Sequence, residues 1–95
     1  MPVETRPYDS ARYLDNDESI AGYLEAAFET DDPAFIAKAF GVVARARGMT
    51  QIAKDAGLSR ESLYRALGEN GNPEFSTVLK VAKALGLRLA VVVTS

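Results

Sequence analysis

MTQIAKDAGLSRESLYRAL, residues 49–67, holds two short helical patterns, Thr50 to Ala56 and Ser59 to Leu67, separated only by Gly57 and Leu58. Ala53 stands four residues before Gly57, where a small side chain lets two helices cross closely. Gly57 occupies the tight turn, because a positive φ is cheapest for glycine. Leu58 anchors the turn in the core, and the Ser59 hydroxyl can cap the second helix. Ile52, Ala56, Leu58, Leu63 and Leu67 then close one apolar cluster, with Leu63 on the inner face six residues after the glycine.

The outward face of the second helix is left to Arg60, Glu61, Ser62, Tyr64 and Arg65. A face of this kind, led by its N-terminal turn, is what a recognition helix lays into the major groove. Arg60 and Arg65 carry the planar fork that reads guanine O6 and N7 or clamps a phosphate. Ser59 and Ser62 are versatile hydroxyl contacts. Tyr64 can touch a thymine methyl or donate to a phosphate. Thr50 and Gln51 begin the preceding helix, and helix N-termini meet phosphates. Arg45 and Arg47 flank the entrance, either as further phosphate contacts or as a solvated helix end. The alternative for Glu61 is an i,i+4 pair with Arg65, which stabilises a helix by only about 0.2–0.5 kcal/mol.

Outside this segment the chain reads as three more helices. Asn16 or Asp17 can cap one in which Ile20, Tyr23, Leu24, Ala27 and Phe28 recur at helical spacing. Asp32 and Pro33 open another, with Phe35, Ile36, Ala39, Phe40 and Val43 on one face and Gly48 at its end. Gly41 weakens that helix by about 1 kcal/mol relative to alanine and marks a close helix crossing. The last begins near Phe75 or Ser76, turns Val78, Leu79, Ala82 and Leu85 inward, and stops at Gly86. Residues 1–16 form an arm with an extended piece near Val3 to Tyr8. Leu87 to Thr94 (LRLAVVVT) is short, β-branched and bounded by the chain end, so a strand is expected there, the alternative being an irregular apolar tail packed on the helices. A lone strand needs a mate, supplied by a second copy, the arm or another protein.

Composition narrows the chemistry. The 95 residues include no Cys, His or Trp, which removes zinc fingers, thiol nucleophiles, haem ligation, Ser-His-Asp triads and imidazole bases. No paired acid/base or metal-ligand spacing stands out, so the chain is expected to bind rather than catalyse, with no cofactor and no metal. No apolar run approaches the roughly 18 residues of a membrane span, and the absence of Cys fits a cytoplasmic protein.

The net charge of −2 hides a division. Residues 1–32 hold nine acids and two bases, a net −7, whereas residues 33–95 hold nine bases and four acids, a net +5. Asymmetry of this size suggests two different partners.

The stretches ARARGMTQIAKDAGLSRESLYRAL and ENGNPEFSTVLKVAKALGL resemble the Xre/Cro-like helix-turn-helix regulators. Within them the likeness is closest to the HigA-like addiction-module antidotes, and it extends more weakly through YLEAAFETDDPAFIAKAF. There is one departure. Many such domains place a phosphate-contacting Gln eight residues before the turn glycine, where this chain has Met49. Gln51 stands two positions later, which leaves that contact to Gln51, Thr50 or Arg47.

Together with the resemblance, these readings give an all-α fold: a single domain over 1–95 with five helices, an acidic N-terminal arm and helix over 1–32, a helix-turn-helix core over 33–86, and a short C-terminal β-strand over 87–95 suited to dimerisation. The resemblance implies a homodimeric antitoxin of a type II toxin-antitoxin module that binds an inverted-repeat operator in double-stranded DNA, represses its own operon and neutralises a small basic RelE/ParE-like toxin. The alternatives are a free-standing Xre-like repressor without a toxin and a protein-interaction module that never meets DNA.

Overall fold

The computed structural model describes residues 16–68 and 70–94. The expected arm and its extended piece near Val3 to Tyr8 lie outside the described residues. Five helices follow in order: α1 Asp17–Phe28, α2 Pro33–Arg47, α3 Met49–Ala56, α4 Arg60–Ala66 and α5 Phe75–Ala84.

Each helix boundary has a local cause. The Asn16 side-chain oxygen accepts from the Ser19 amide at 2.8 Å, and Asp17 and Glu18 place negative charge in the first turn of α1, where the helix dipole favours it. The Thr30 hydroxyl donates to the Ala27 carbonyl at 2.7 Å as the chain leaves α1. Asp32 then accepts from the amides of Ala34 and Phe35, with Pro33 at the first position of α2. Gly48, at φ 106°, ends α2 and begins α3 without a side-chain cap.

The packing centres on α3, which lies against α2, α4 and α5, while α1 packs on α2. Ile20, Leu24 and Ala27 from α1 join Phe40 and Val43 from α2, Ile52 and Ala53 from α3, Leu63 and Leu67 from the α4 region, and Val81 and Leu85 from the α5 region in one core. Five of these side chains, Ile20, Phe40, Val43, Leu63 and Val81, are essentially inaccessible to water. Among the described residues no polar or charged side chain is buried, so none incurs an unmet desolvation cost. No described helix is long and apolar enough to cross a membrane.

Three expectations need correction. The strand over Leu87 to Thr94 is not formed. Among the described residues there is no other strand to complete a ladder, and β-branched composition alone cannot hold an extended segment in a sheet. Leu87 and Leu89 instead lean on the helical core, while Val91, Val92 and Val93 are 97%, 77% and 96% exposed. Phe35, assigned to the inner face of α2, is about half exposed, at 48%. The buried row runs through Ala37, Phe40, Val43 and Ala44 with Ile36 beside it, and one residue is about 100° of helix rotation. Leu79 is likewise exposed, because α5 meets the core through Val78, Val81, Ala82 and the following Leu85.

Candidate nucleic-acid interface

The corner between α3 and α4 is closed from the backbone. Gly57 takes the left-handed conformation at φ 73°, ψ 30°. Its amide donates to the Lys54 carbonyl, and the Leu58 amide donates to the Ala53 carbonyl at 2.9 Å. This pair of bonds satisfies carbonyls that a helix end would otherwise leave unpaired. Leu58 is half-buried against the core, so the turn is fixed by hydrogen bonding and by packing together.

Ser59 begins α4 by accepting from the Ser62 amide at 2.9 Å. The same hydroxyl donates to the Ser62 hydroxyl at 2.8 Å. Ser59 is therefore committed to the helix start, and the outward donor of the pair is the Ser62 hydroxyl. Leu63 is fully buried and fixes the rotation of α4 about its own axis. That rotation turns Arg60, Glu61, Ser62, Tyr64 and Arg65 to solvent together.

Two of the five are coupled. The Arg60 guanidinium lies over the Tyr64 ring, 5.5 Å from its centroid, within the range of a cation–π contact. The stacking restricts an otherwise flexible arginine at the first turn of α4. Arg65 and Glu61 form no ion pair with each other among the described residues, so the fork of Arg65 remains available on the exposed face.

On α3, Thr50 and Gln51 are exposed beside the uncapped helix start. The Gln51 side-chain amide already donates to the Asp55 carboxylate one turn on, at 2.9 Å. Arg45 is exposed, and its guanidinium folds back towards Gly41, with Nη1 3.5 Å from where a Cβ on that glycine would stand.

Arg47 has a different neighbour. Its Nη2 donates to Asp17 Oδ1 at 2.7 Å, joining the end of α2 to the beginning of α1. The two residues are 30 apart in sequence, and no local spacing rule links them. The only sequence signal was that each stands at the end of an expected helix with opposite charge.

A second surface was not foreseen. Phe28, Ile36, Phe40, Phe75, Val78 and Leu89 line an apolar groove of about 190 Å³. Phe28 and Phe40 meet edge to face at 6.1 Å, and Phe75, at the start of α5, is 70% exposed. The C-terminal valines leave the fold next to this groove, two residues after Leu89. Among the described residues, no three acidic side chains are grouped to hold a metal ion.

Comparison with known proteins places these features in a family context. Residues 4–93 match the family described as "probable addiction module antidote protein". The chain is also 47% identical over 91 residues to an uncharacterized protein of Haemophilus influenzae, a match covering 96% of this chain and 94% of that protein. No solved structure matches.

Proposed function

Given that the chain belongs to the family of probable addiction module antidote proteins, we propose that it is a DNA-binding antitoxin of a type II toxin-antitoxin module that represses its own operon. An antidote implies a toxin partner. The observation that carries the DNA-binding reading is the solvent face of α4, where Arg60 is stacked on Tyr64 and Arg65, exposed on the same face, makes no ion pair among the described residues. The capped turn at Gly57 and the buried Leu63 hold that face.

In this reading α4 is the recognition helix of an Xre/Cro-like helix-turn-helix. Arg60 and Arg65 address guanine edges or the adjacent phosphates, Ser62 donates from the first turn, and Thr50, Gln51 and Arg45 meet the backbone. Each good bidentate arginine–guanine pair discriminates against the wrong base by about 1–3 kcal/mol. The protein acts as a homodimer, with two α4 helices in successive major grooves about 34 Å apart on an inverted repeat. The exposed valines of residues 91–93 supply an apolar contact between the two copies.

The toxin surface is assigned to the acidic segment. Glu18, Glu25 and Glu29 are exposed on or beside α1, away from the apolar row that packs on α2, and suit a small basic RelE/ParE-like protein by charge. Because Ile20, Leu24 and Ala27 belong to the core, the segment is tested by neutralising its surface rather than by deleting it. Co-purification of the adjacent gene product with a Glu18→Gln, Glu25→Gln, Glu29→Gln triple variant should fall well below that with the parent. Undiminished capture would remove the assignment. For DNA, titration with the upstream region of its own operon should give salt-dependent binding that Arg60→Ala and Arg65→Ala each weaken by about 5- to 150-fold. Full affinity in both variants would refute the readout.

A further inference from the structure

We propose that Asp17 is a built-in competitor of DNA phosphate for Arg47, so that the start of the acidic helix sets the affinity of the DNA-binding corner. The proposal rests on the DNA-binding reading given above. Its observation is the 2.7 Å ion pair that ties the first residue of α1 to the last of α2. Arg47 is separated from α3 by Gly48 alone and stands two residues before Met49 and three before Thr50, at the edge of the surface that a duplex would approach.

The carboxylate is not there by chance of a loose tail. Asn16 caps α1 through the Ser19 amide, and Ile20, three residues after Asp17, is completely buried. These two anchors fix the first turn of α1, and with it the position of Asp17 over the end of α2. The pair is nonetheless open to water, with the Arg47 side chain 34% and the Asp17 side chain 76% exposed. An exposed pair of this kind is weak and screened by salt. A duplex presents one phosphate charge about every 1.7 Å of its axis, a field against which a single solvated carboxylate is easily displaced. Arg47 then exchanges one anion for another when DNA arrives. The exchange leaves Asp17 uncompensated beside the phosphates, which holds affinity below what Arg47 alone would allow.

The test is a double-substitution cycle on the full-length protein, reading the dissociation constant for a fluorescent duplex carrying its own upstream region, at about 50 mM and about 200 mM salt. Asp17→Asn should bind about 2- to 5-fold more tightly than the parent at the lower salt, with the gain shrinking at the higher. Arg47→Gln should bind more weakly than the parent, and Asp17→Asn should then add less than it does in the parent, because only its repulsion of the phosphates is left to remove. Glu18→Gln, which removes a neighbouring acid with no ion pair among the described residues, should change affinity by less than Asp17→Asn. Unchanged affinity in Asp17→Asn overturns the proposal. So does a gain of equal size in the Arg47→Gln background, or an equal gain from Glu18→Gln, because either reduces Asp17 to one charge among several. In those three outcomes the parent still binds DNA and the broader reading stands. Absence of salt-dependent binding by the parent itself refutes both.

Discussion

Replacing Gly22 and Gly41 by alanine should move stability in opposite directions, although both glycines are helical. Alanine gains about 0.8–1 kcal/mol over glycine inside a helix, through reduced backbone entropy loss. At Gly22, in the exposed middle of α1, an added Cβ meets nothing within 4 Å, so the whole gain is realised. For a domain of this size it should raise Tm by about 4–8 °C. At Gly41, in α2, the same atom would lie 2.7 Å from the Leu67 carbonyl oxygen and 3.5 Å from Leu67 Cβ. The oxygen belongs to the backbone, so it cannot swing aside as a side-chain tip would. Forcing an extra carbon into a packed site costs about 1–3 kcal/mol, which offsets the propensity gain and leaves a net loss of about 1 kcal/mol at the middle of that range. Thermal unfolding followed by circular dichroism gives both values in one experiment, with urea midpoints as a check. If Gly41→Ala raised Tm as much as Gly22→Ala, the close approach of α2 to the end of α4 would be wrong.

Other substitutions probe the corner and the tail separately. Ser59→Ala removes the cap on α4 and should destabilise by about 1 kcal/mol in chemical denaturation, whereas a loss below a few tenths would mean that the Ser62 amide is satisfied by water at no cost. Tyr64→Leu takes away the ring beneath Arg60 and should weaken duplex binding by about 2- to 5-fold, the worth of an exposed cation–π contact; Tyr64→Phe should restore it, and an equal loss in both would assign the effect to the phenol hydroxyl instead. Val91→Asp, in the solvent-exposed tail, should shift sedimentation equilibrium from dimer to monomer and lower Tm only by what association contributes at that protein concentration. A persistent dimer would place the interface elsewhere.

What could be read from the sequence was what is decided locally. Asp32 and Pro33, Gly57, Ser59 and Gly86 act through their own dihedrals or through partners a few residues away, and the helices begin and end within about a residue of the expected positions. The apolar row of the corner was equally legible, because Ile52, Ala56, Leu63 and Leu67 repeat at helical spacing. Phe35 and Leu79 were misassigned because a hydrophobic side chain one position off the buried row looks the same in sequence as one on it. The tail shows a different limit. Residues 87–94 have the composition of a strand, but a strand is a property of two segments, and composition reports only one. The Asp17–Arg47 pair and the groove between Phe28 and Phe75 arise from how α1, α2 and α5 are brought together, which no periodicity encodes. On the α4 face, the residue types are legible in the sequence, but the stacking of Arg60 on Tyr64 and the commitment of Ser59 to its own helix start depend on side-chain conformations that spacing does not encode.

The order of packing has a consequence for how quickly this protein becomes available. α1 lies on α2, α2 on α3 and α3 on α4, and α5 then returns to α3, so most of the core joins segments that are neighbours along the chain. Domains dominated by such local contacts close few long loops and fold in microseconds to milliseconds. No disulfide has to form, since the chain contains no Cys, and no metal-ligating cluster among the described residues has to be filled. For an antidote, the time between completing synthesis and folding of the single chain is therefore negligible beside the seconds spent making it. Supply should follow translation directly, with no pool of slow-folding precursor to buffer a sudden fall in synthesis.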